Sequence, residues 1–90
     1  MPSRSPRAGE PQRALGRAIR ELRSRQNLTQ TQVATRAGLH ETDISSLESG
    51  RRNPTFQAMQ RVSKGLGVRV SELMARAEEI EKREASSQRT

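Results

Sequence analysis

The first clear hydrophobic pattern is a stripe of apolar residues in the N-terminal part of the chain. Its members recur at intervals of three and four residues, which is the spacing of one face of an α-helix. They are Leu15, Ala18, Ile19 and Leu22. The pattern predicts a first helix over about residues 12–25, and Asn27 is expected to stop it.

Two shorter helices are predicted next, on either side of a glycine. Thr29 and Gln32 stand three residues apart, as in a capping box, which indicates a helix over about 30–37. Gly38 can take the positive φ that ends a helix, and a third helix is expected over about 41–49. Two short helices joined by a tight turn form a helix-turn-helix arrangement, whose second helix can lie in the major groove of DNA.

The second half of the chain shows two further helical patterns and no strand of useful length. A fourth helix is predicted over about 56–65, and a fifth over about 70–84. The inward face of the fourth is expected to carry Phe56, Met59 and Val62. The fold class is therefore all-α, a compact arrangement of five helices.

Composition divides the chain into three parts. Residues 1–11 hold three of the four prolines together with serine, arginine and glycine, so we expect a disordered basic arm. This arm is either a loose end or a segment that follows the DNA backbone or minor groove. Residues 12–75 are expected to form the helix-turn-helix domain, and residues 76–90 a C-terminal extension of the fifth helix with a tail.

Composition and charge also narrow the classes of function. A chain of 90 residues has room for one domain, and its 30% hydrophobic content predicts a small core. The net charge of +7 favours a polyanion as partner. Cysteine is absent, which excludes disulfides and cysteine-based zinc sites. Because no apolar run of about 18 residues and no N-terminal leader is present, we expect no membrane contact and a cytoplasmic location.

The residues around the turn resemble a known family. Type and spacing agree across the turn and on into the segments GRRNPTF and KGLGV. Over roughly residues 13–75 the chain is similar to the lambda-repressor and Cro type of helix-turn-helix, the XRE family. The matching residues are Leu28, Gln30, Val33, Ala34, Gly38, Ile44, Ser45, Glu48, Gly50, Pro54, Leu66, Gly67 and Val68. The resemblance implies a lambda-repressor-like domain that binds double-stranded DNA, and nothing in the sequence calls for a cofactor.

Five residues are expected to contact DNA phosphates, which supply most of the affinity for DNA. They are Gln30, His40, Ser49, Arg51 and Arg52. Gln30 opens the second helix, where its side chain and the backbone N–H groups can reach a phosphate. The resemblance implies phosphate contacts for the three that follow the third helix. For Arg51 and Arg52 the alternative is a solvated loop charge.

The outward face of the third helix is expected to read base edges. Because Ile44 and Leu47 define its inward face, four other side chains point outward. They are Glu41, Thr42, Ser45 and Ser46. The resemblance implies that the positions of Glu41, Thr42 and Ser46 face bases. Acidic residues in a first helical turn also complement the helix dipole, so both interpretations stay open for Glu41, and Asp43 is assigned to the dipole.

The resemblance also implies one structural ion pair, between Arg23 and Glu48. It would hold the first helix against the third, and the alternative is two separate surface charges. The single histidine, His40, has no second histidine or cysteine with which to bind a metal. Ser45, His40 and Asp43 lie within one short helix turn and cannot form a catalytic relay. We therefore predict that the protein is not an enzyme and holds no metal.

A last apolar stripe lies on the fifth helix and continues past the predicted domain. It consists of Leu73, Ala77 and Ile80. Because so small a domain leaves little core to cover Ile80, we expect this stripe to form the interface of a homodimer. We also expect removal of the residues after Ala75 to spare the fold. The alternatives are a frayed, exposed end and a contact with a different protein.

These observations together predict a sequence-specific DNA-binding transcriptional regulator. We expect a repressor that acts as a homodimer on a two-fold symmetric operator, with the two reading helices about 34 Å apart. Two alternatives belong to the same class, an antitoxin and a controller of a restriction–modification operon, each of which binds its own promoter. A third alternative is a protein-interaction module that does not bind DNA.

Overall fold

Five α-helices make up the part of the chain that the structure describes. The structure is a computed structural model, and it describes residues 10–88. The helices are α1 (Glu10–Arg25), α2 (Gln30–Ala37), α3 (Glu41–Glu48), α4 (Phe56–Leu66) and α5 (Val70–Gln88). The predicted all-α fold is confirmed, and no helix within residues 10–88 has the length and apolar character needed to cross a membrane.

Local sequence signals determine where the helices around the turn begin and end. Thr29 Oγ1 accepts a hydrogen bond from the N–H of Gln32 at 3.0 Å, and Gln32 Oε1 accepts one from the N–H of Thr29 at 2.8 Å. Asn27 ends α1 with a φ of 57°, and Gly38 ends α2 with a φ of 70°. The predicted capping box and both helix stops are therefore present.

The core is aliphatic and draws on every helix. The fully buried side chains include one from each helix in chain order: Ile19, Val33, Ile44, Leu66 and Leu73. Burial of an aliphatic side chain of this size contributes about 1.5–3 kcal/mol to stability. Because α2 packs on α4 while α1 packs on both α3 and α5, the two helices of the turn are held in place from behind.

At Gly16, α1 comes so close to the C-terminal end of α3 that only glycine fits. A Cβ atom on Gly16 would lie 2.5 Å from the carbonyl oxygen of Glu48, and nearer still to that of Leu47. Both contacts are with backbone, which cannot move aside as the end of a flexible side chain can. Gly16 therefore determines the distance between α1 and α3.

The apolar stripe of α5 continues past Ala75 and packs along α1 of the same chain. Ala77 is 5% exposed and Ile80 4% exposed, and both belong to the same core as Leu73. Side chains that are buried inside one chain are not available to a second chain. Their burial within one chain contradicts the predicted dimer interface of Leu73, Ala77 and Ile80, and removal of the chain after Ala75 would take Ala77 and Ile80 out of this core.

Two ion pairs flank this apolar contact between α1 and α5. Arg76 binds Glu21, and Arg17 binds Glu84. The hydrogen bond with Glu21 raises the pKa of Arg76 above its ordinary value, so this guanidinium stays charged. The apolar stripe of α5 thus finds its cover on the first helix of the same chain.

Phe56 does not face inward as predicted. It is the first residue of α4, and its side chain is 63% exposed. The buried residues of α4 lie in its second half and are Val62, Ser63, Gly65 and Leu66. Gly65 lies there against Val33 and Ala37 of α2. Met59 is half-buried against the core, as predicted. The first residue of α4 therefore lies outside the core.

The predicted N-terminal arm of residues 1–11 overlaps the start of α1. Residues 10 and 11 belong to α1, and residues 1–9 lie outside the described residues. Pro11 stands in the first turn of α1, where a missing N–H breaks no hydrogen bond within the helix. Proline therefore marks a helix start here rather than part of an arm.

Candidate nucleic-acid interface

One side of α3 is anchored in the core and the opposite side faces outward. The anchoring residues are Ile44 and Leu47, which are fully or almost fully buried. The outward side carries the four residues that were expected to read bases: Glu41, Thr42, Ser45 and Ser46. The first two are exposed and the last two are half-buried. The structure thus brings these four together on one surface of α3. The buried Ile44 and Leu47 hold α3 against rotation about its own axis.

A hydrogen-bonded network behind this surface joins α1, α2 and α3. Arg23 binds Glu48 twice, with Nε 2.6 Å from Oε2 and Nη2 3.0 Å from Oε1. Its Nη1 donates to the carbonyl oxygen of Leu28 at 2.9 Å. Gln30 Nε2 donates to Glu48 Oε1 at 3.0 Å. The ion pair that the resemblance implies is present, and Gln30, expected only as a phosphate contact, also belongs to it.

This network is largely removed from solvent. The side chain of Glu48 is 5% exposed and that of Arg23 is 16% exposed. The hydrogen bond with Glu48 raises the pKa of Arg23 above its ordinary value, although burial acts in the opposite direction. A two-point contact between guanidinium and carboxylate has a narrow geometry, so it holds the end of α3 in one orientation relative to α1 and α2.

The loop after α3 is ordered by short-range polar contacts. Ser49 Oγ donates to the carbonyl oxygen of Ser46 at 3.1 Å and accepts from Arg51 Nε at 3.0 Å. Arg52 forms an ion pair with Asp43 on α3, yet its side chain remains 56% exposed. Both arginines of the loop are therefore positioned beside α3 and keep N–H groups that can bind a phosphate.

Asp43 joins the start of α3 to this loop. Its Oδ2 accepts a hydrogen bond from the N–H of His40 at 3.1 Å, while Oδ1 accepts from Arg52. The hydrogen bond from His40 and then that from Arg52 hold the pKa of Asp43 below its ordinary value. The carboxylate is therefore charged in the first turn of α3, where negative charge is favourable.

A shallow cleft between α1, α2 and α3 contains an arginine that the sequence pattern did not single out. The cleft is lined by Arg20, Arg23, Gln30, Ser45, Glu48 and Ser49. Arg20 is exposed and lies three residues before Arg23, so both stand on the face of α1 that meets α3. That spacing from Arg23 is the one signal in the sequence that could have found Arg20.

The five predicted phosphate residues fall into two groups. Gln30 and Ser49 line the cleft, and Arg51 is bonded to Ser49. His40 and Arg52 are instead joined through Asp43. In the described part of the chain, no three metal-ligating side chains come close enough to hold a metal ion.

The chain is similar to known regulators over most of the described region. A family model described as helix-turn-helix matches residues 19–73. The chain is 37% identical over 60 residues to control protein C.BamHI of Bacillus amyloliquefaciens, which covers 66% of this chain and 74% of that protein. It is 38% identical over 65 residues to the uncharacterized HTH-type transcriptional regulator y4dJ of Sinorhizobium fredii. This match covers 72% of this chain and 84% of that regulator.

A solved structure has the same fold. The clp gene regulator ClgR from Corynebacterium glutamicum matches with a TM-score of 0.82, over 87% of this chain and 83% of that chain. Its sequence identity is 24%, so the likeness establishes the fold alone. The match extends beyond the turn and includes most of the five-helix arrangement.

Proposed function

This chain belongs to the helix-turn-helix family and is a DNA-binding transcriptional regulator, and we propose that it reads a two-fold symmetric operator as a homodimer. The observation that carries the proposal is the placement of α3. Its inner face is anchored by Ile44 and Leu47, and its outer face holds polar side chains that take no part in the core. A helix held in this way can enter the major groove, which is about 12 Å wide.

We assign base recognition to the outward side chains of α3. Thr42 offers a methyl group to thymine or a hydroxyl to a base edge, and Ser46 offers a hydroxyl. Glu41 can accept a hydrogen bond from N4 of cytosine. Because this face lacks arginine, asparagine and glutamine, we expect part of the specificity to come from the deformability of the operator. The phosphate contacts are assigned to Gln30, His40, Ser49, Arg51 and Arg52.

The homodimer needs a surface other than the buried stripe of α5. We place its contact at Phe56, the one large hydrophobic side chain that is exposed among the described residues. Pro54 and Met59, which are near Phe56 in the sequence, line a groove together with a third apolar residue, Met74. Phe56 of each copy in the groove of the other forms an isologous contact, the kind that a two-fold dimer requires.

A gel-shift titration of a random DNA duplex tests DNA binding itself. The logarithm of the affinity should fall linearly with the logarithm of salt concentration, with a slope of about −0.9 for each phosphate contacted. Arg51→Ala and Arg52→Ala should each reduce the magnitude of the slope by about 1, without changing the preferred sequence. If the parent protein gives no salt-dependent shift, the protein-interaction module is the better account.

Selection of bound sequences from a random DNA pool tests base recognition. Thr42→Ala or Ser46→Ala should relax the preference at one base pair of each half-site, where a lost contact costs about 1–3 kcal/mol. Arg51→Ala is the control, because a phosphate contact carries no sequence information. Identical selected sites for the parent and the α3 variants would remove these residues from the base-reading set.

Light scattering tests the dimer contact. Phe56→Ala should give a monomer at a concentration at which the parent is a dimer, and should weaken binding to a duplex with two half-sites. Gln57→Ala is a matched control, since it changes an exposed neighbour on the same helix turn. Because Phe56 is mostly exposed, its removal should leave the melting temperature of the monomer nearly unchanged. A dimer that survives the Phe56 change would place the interface elsewhere.

The similarity to control protein C.BamHI favours a second, more specific candidate. In it the chain controls a restriction–modification operon by binding its own promoter. A gene for a restriction endonuclease beside its own gene would support this role, whereas a toxin gene would indicate an antitoxin. In either role a dimer bound across a promoter blocks transcription, so we propose that the protein is a repressor. We place its action in the cytoplasm, with the promoter that it binds.

A further inference from the structure

We propose that Arg20 binds a phosphate of the DNA backbone, and that the cleft between α1, α2 and α3 is the subsite for that phosphate. The inference rests on the proposed DNA binding and adds a contact from α1, a helix outside the helix-turn-helix pair. Neither the pattern of the sequence nor the resemblance assigns a DNA contact to this helix.

The position of Arg20 follows from the close approach of α1 to α3. Gly16 lies one turn earlier on the same face of α1, where the backbone of α3 leaves no room for a Cβ atom. Arg23 lies about one turn later and is joined to Glu48 at the end of α3. Arg20 therefore stands between two contacts that hold α1 against α3. Its backbone cannot move away from the cleft unless both contacts break.

The charges inside the cleft leave one positive group for an anion. All three nitrogens of the Arg23 guanidinium donate hydrogen bonds, and the carboxylate of Glu48 accepts three. Arg23 and Glu48 therefore neutralise each other. Between residues 11 and 86, no carboxylate forms an ion pair with Arg20. Its exposed guanidinium is thus available, and guanidinium matches the geometry of phosphate oxygens.

The neighbours of Arg20 in the cleft place it at the edge of the reading surface. Ser45 belongs to the outward face of α3, while Gln30 and Ser49 are residues already assigned to phosphate. When a helix lies in the major groove, the phosphates run along both sides of it. A phosphate that passes the cleft meets the Arg20 guanidinium together with the Ser49 hydroxyl. The cleft therefore joins separate polar groups into one anion-binding position.

The test compares the salt dependence of DNA binding among three variants. Arg20→Ala should weaken binding to the selected operator and to random duplex alike, by about tenfold at low salt. It should also reduce the magnitude of the salt slope by about 0.9. Arg20→Lys keeps a positive charge and should restore the slope. Arg17→Ala is the matched control on the same helix, because its guanidinium pairs with Glu84 on α5, and it should leave the slope unchanged.

The outcomes distinguish a failure of this inference from a failure of the proposed function. If the parent protein shows no salt-dependent DNA binding, the proposed function fails and the inference fails with it. If the parent binds and Arg20→Ala keeps the parental slope, the phosphate subsite alone is overturned. A loss confined to one DNA sequence would also overturn it, because it would make Arg20 a base contact. Equal melting temperatures for parent and Arg20→Ala would show that any loss of binding is not a loss of fold.

Discussion

Removal of the Arg23 side chain should cost this small domain a large part of its stability. Arg23→Ala deletes two hydrogen bonds to Glu48 and one to the carbonyl oxygen of Leu28. Glu48 would then keep only the hydrogen bond from Gln30. Its side chain is only 5% exposed in the intact protein. An ionised carboxylate without a counter-charge in such a place is strongly unfavourable.

The magnitude follows from the burial of the pair. Breaking a buried ion pair costs about 3–5 kcal/mol. Because Arg23 is 16% exposed, water can enter the space that it leaves, so we expect the lower end, about 3 kcal/mol. In a domain of this size, 1 kcal/mol shifts the melting temperature by about 4–8 °C. The expected fall in melting temperature is therefore about 12–24 °C.

The assay is thermal and urea unfolding followed by circular dichroism, at one protein concentration because dimerisation also stabilises. Arg25→Ala is the matched control, since Arg25 lies on the same helix, is 61% exposed and stands 3.6 Å from Glu21. An exposed pair of this kind contributes about 0–1 kcal/mol. The double variant Arg23→Met, Glu48→Leu should recover most of the loss, because it leaves no unpaired charge.

Two results would refute this reasoning. If Arg23→Ala and Arg25→Ala lower the melting temperature equally, burial does not distinguish the two pairs. If the double variant is no more stable than Arg23→Ala, the loss does not come from an unpaired Glu48. In that case the hydrogen bond to Leu28 or the packing of the arginine stem would be the larger contribution.

Three further predictions concern packing and charge. Gly16→Ala should destabilise the fold by about 2 kcal/mol or more, because the new methyl group meets backbone of α3; a melting temperature at or above the parent's would contradict this. Truncation after Ala75 should lower stability by at least about 2 kcal/mol, because Ile80 and its neighbours on α5 leave the core, and a urea midpoint equal to the parent's would disprove it. The lowered pKa of Asp43 means that its carboxylate stabilises the fold above its unfolded pKa of about 3.9, and that this contribution is lost as pH falls through the lower folded value. Asp43→Asn should therefore flatten the fall of stability with pH in the acid range, and parallel curves for the two proteins would exclude this role.

The helices around the turn could be predicted from the sequence because their ends are set by neighbouring residues. Thr29 and Gln32 form their capping box within four residues, and Gly38 stops α2 through its own backbone conformation. The alternation of buried and outward positions on α3 is equally local, since a period of 3.6 residues assigns Ile44 to one side and Thr42 to the other. These signals were enough to predict the helix-turn-helix and its outward face.

The extent of the domain was decided by tertiary structure. An apolar stripe shows that a helix face will be buried, but the spacing of Leu73, Ala77 and Ile80 is the same whether α1 or a second chain covers it. The position of Phe56 on the periodic pattern likewise says nothing about where α4 leaves the core. Both outcomes depend on which helices meet, and that is a property of the whole chain.

The same division applies to the candidate site. The residues proposed to read bases lie on one helix and follow from its period, whereas the cleft of Arg20 requires three helices at fixed distances. Those distances depend on Gly16, where the absence of a side chain lets α1 reach the backbone of α3. The sequence shows that residue 16 is a glycine, and only the packed structure shows that this glycine lies against the backbone of α3.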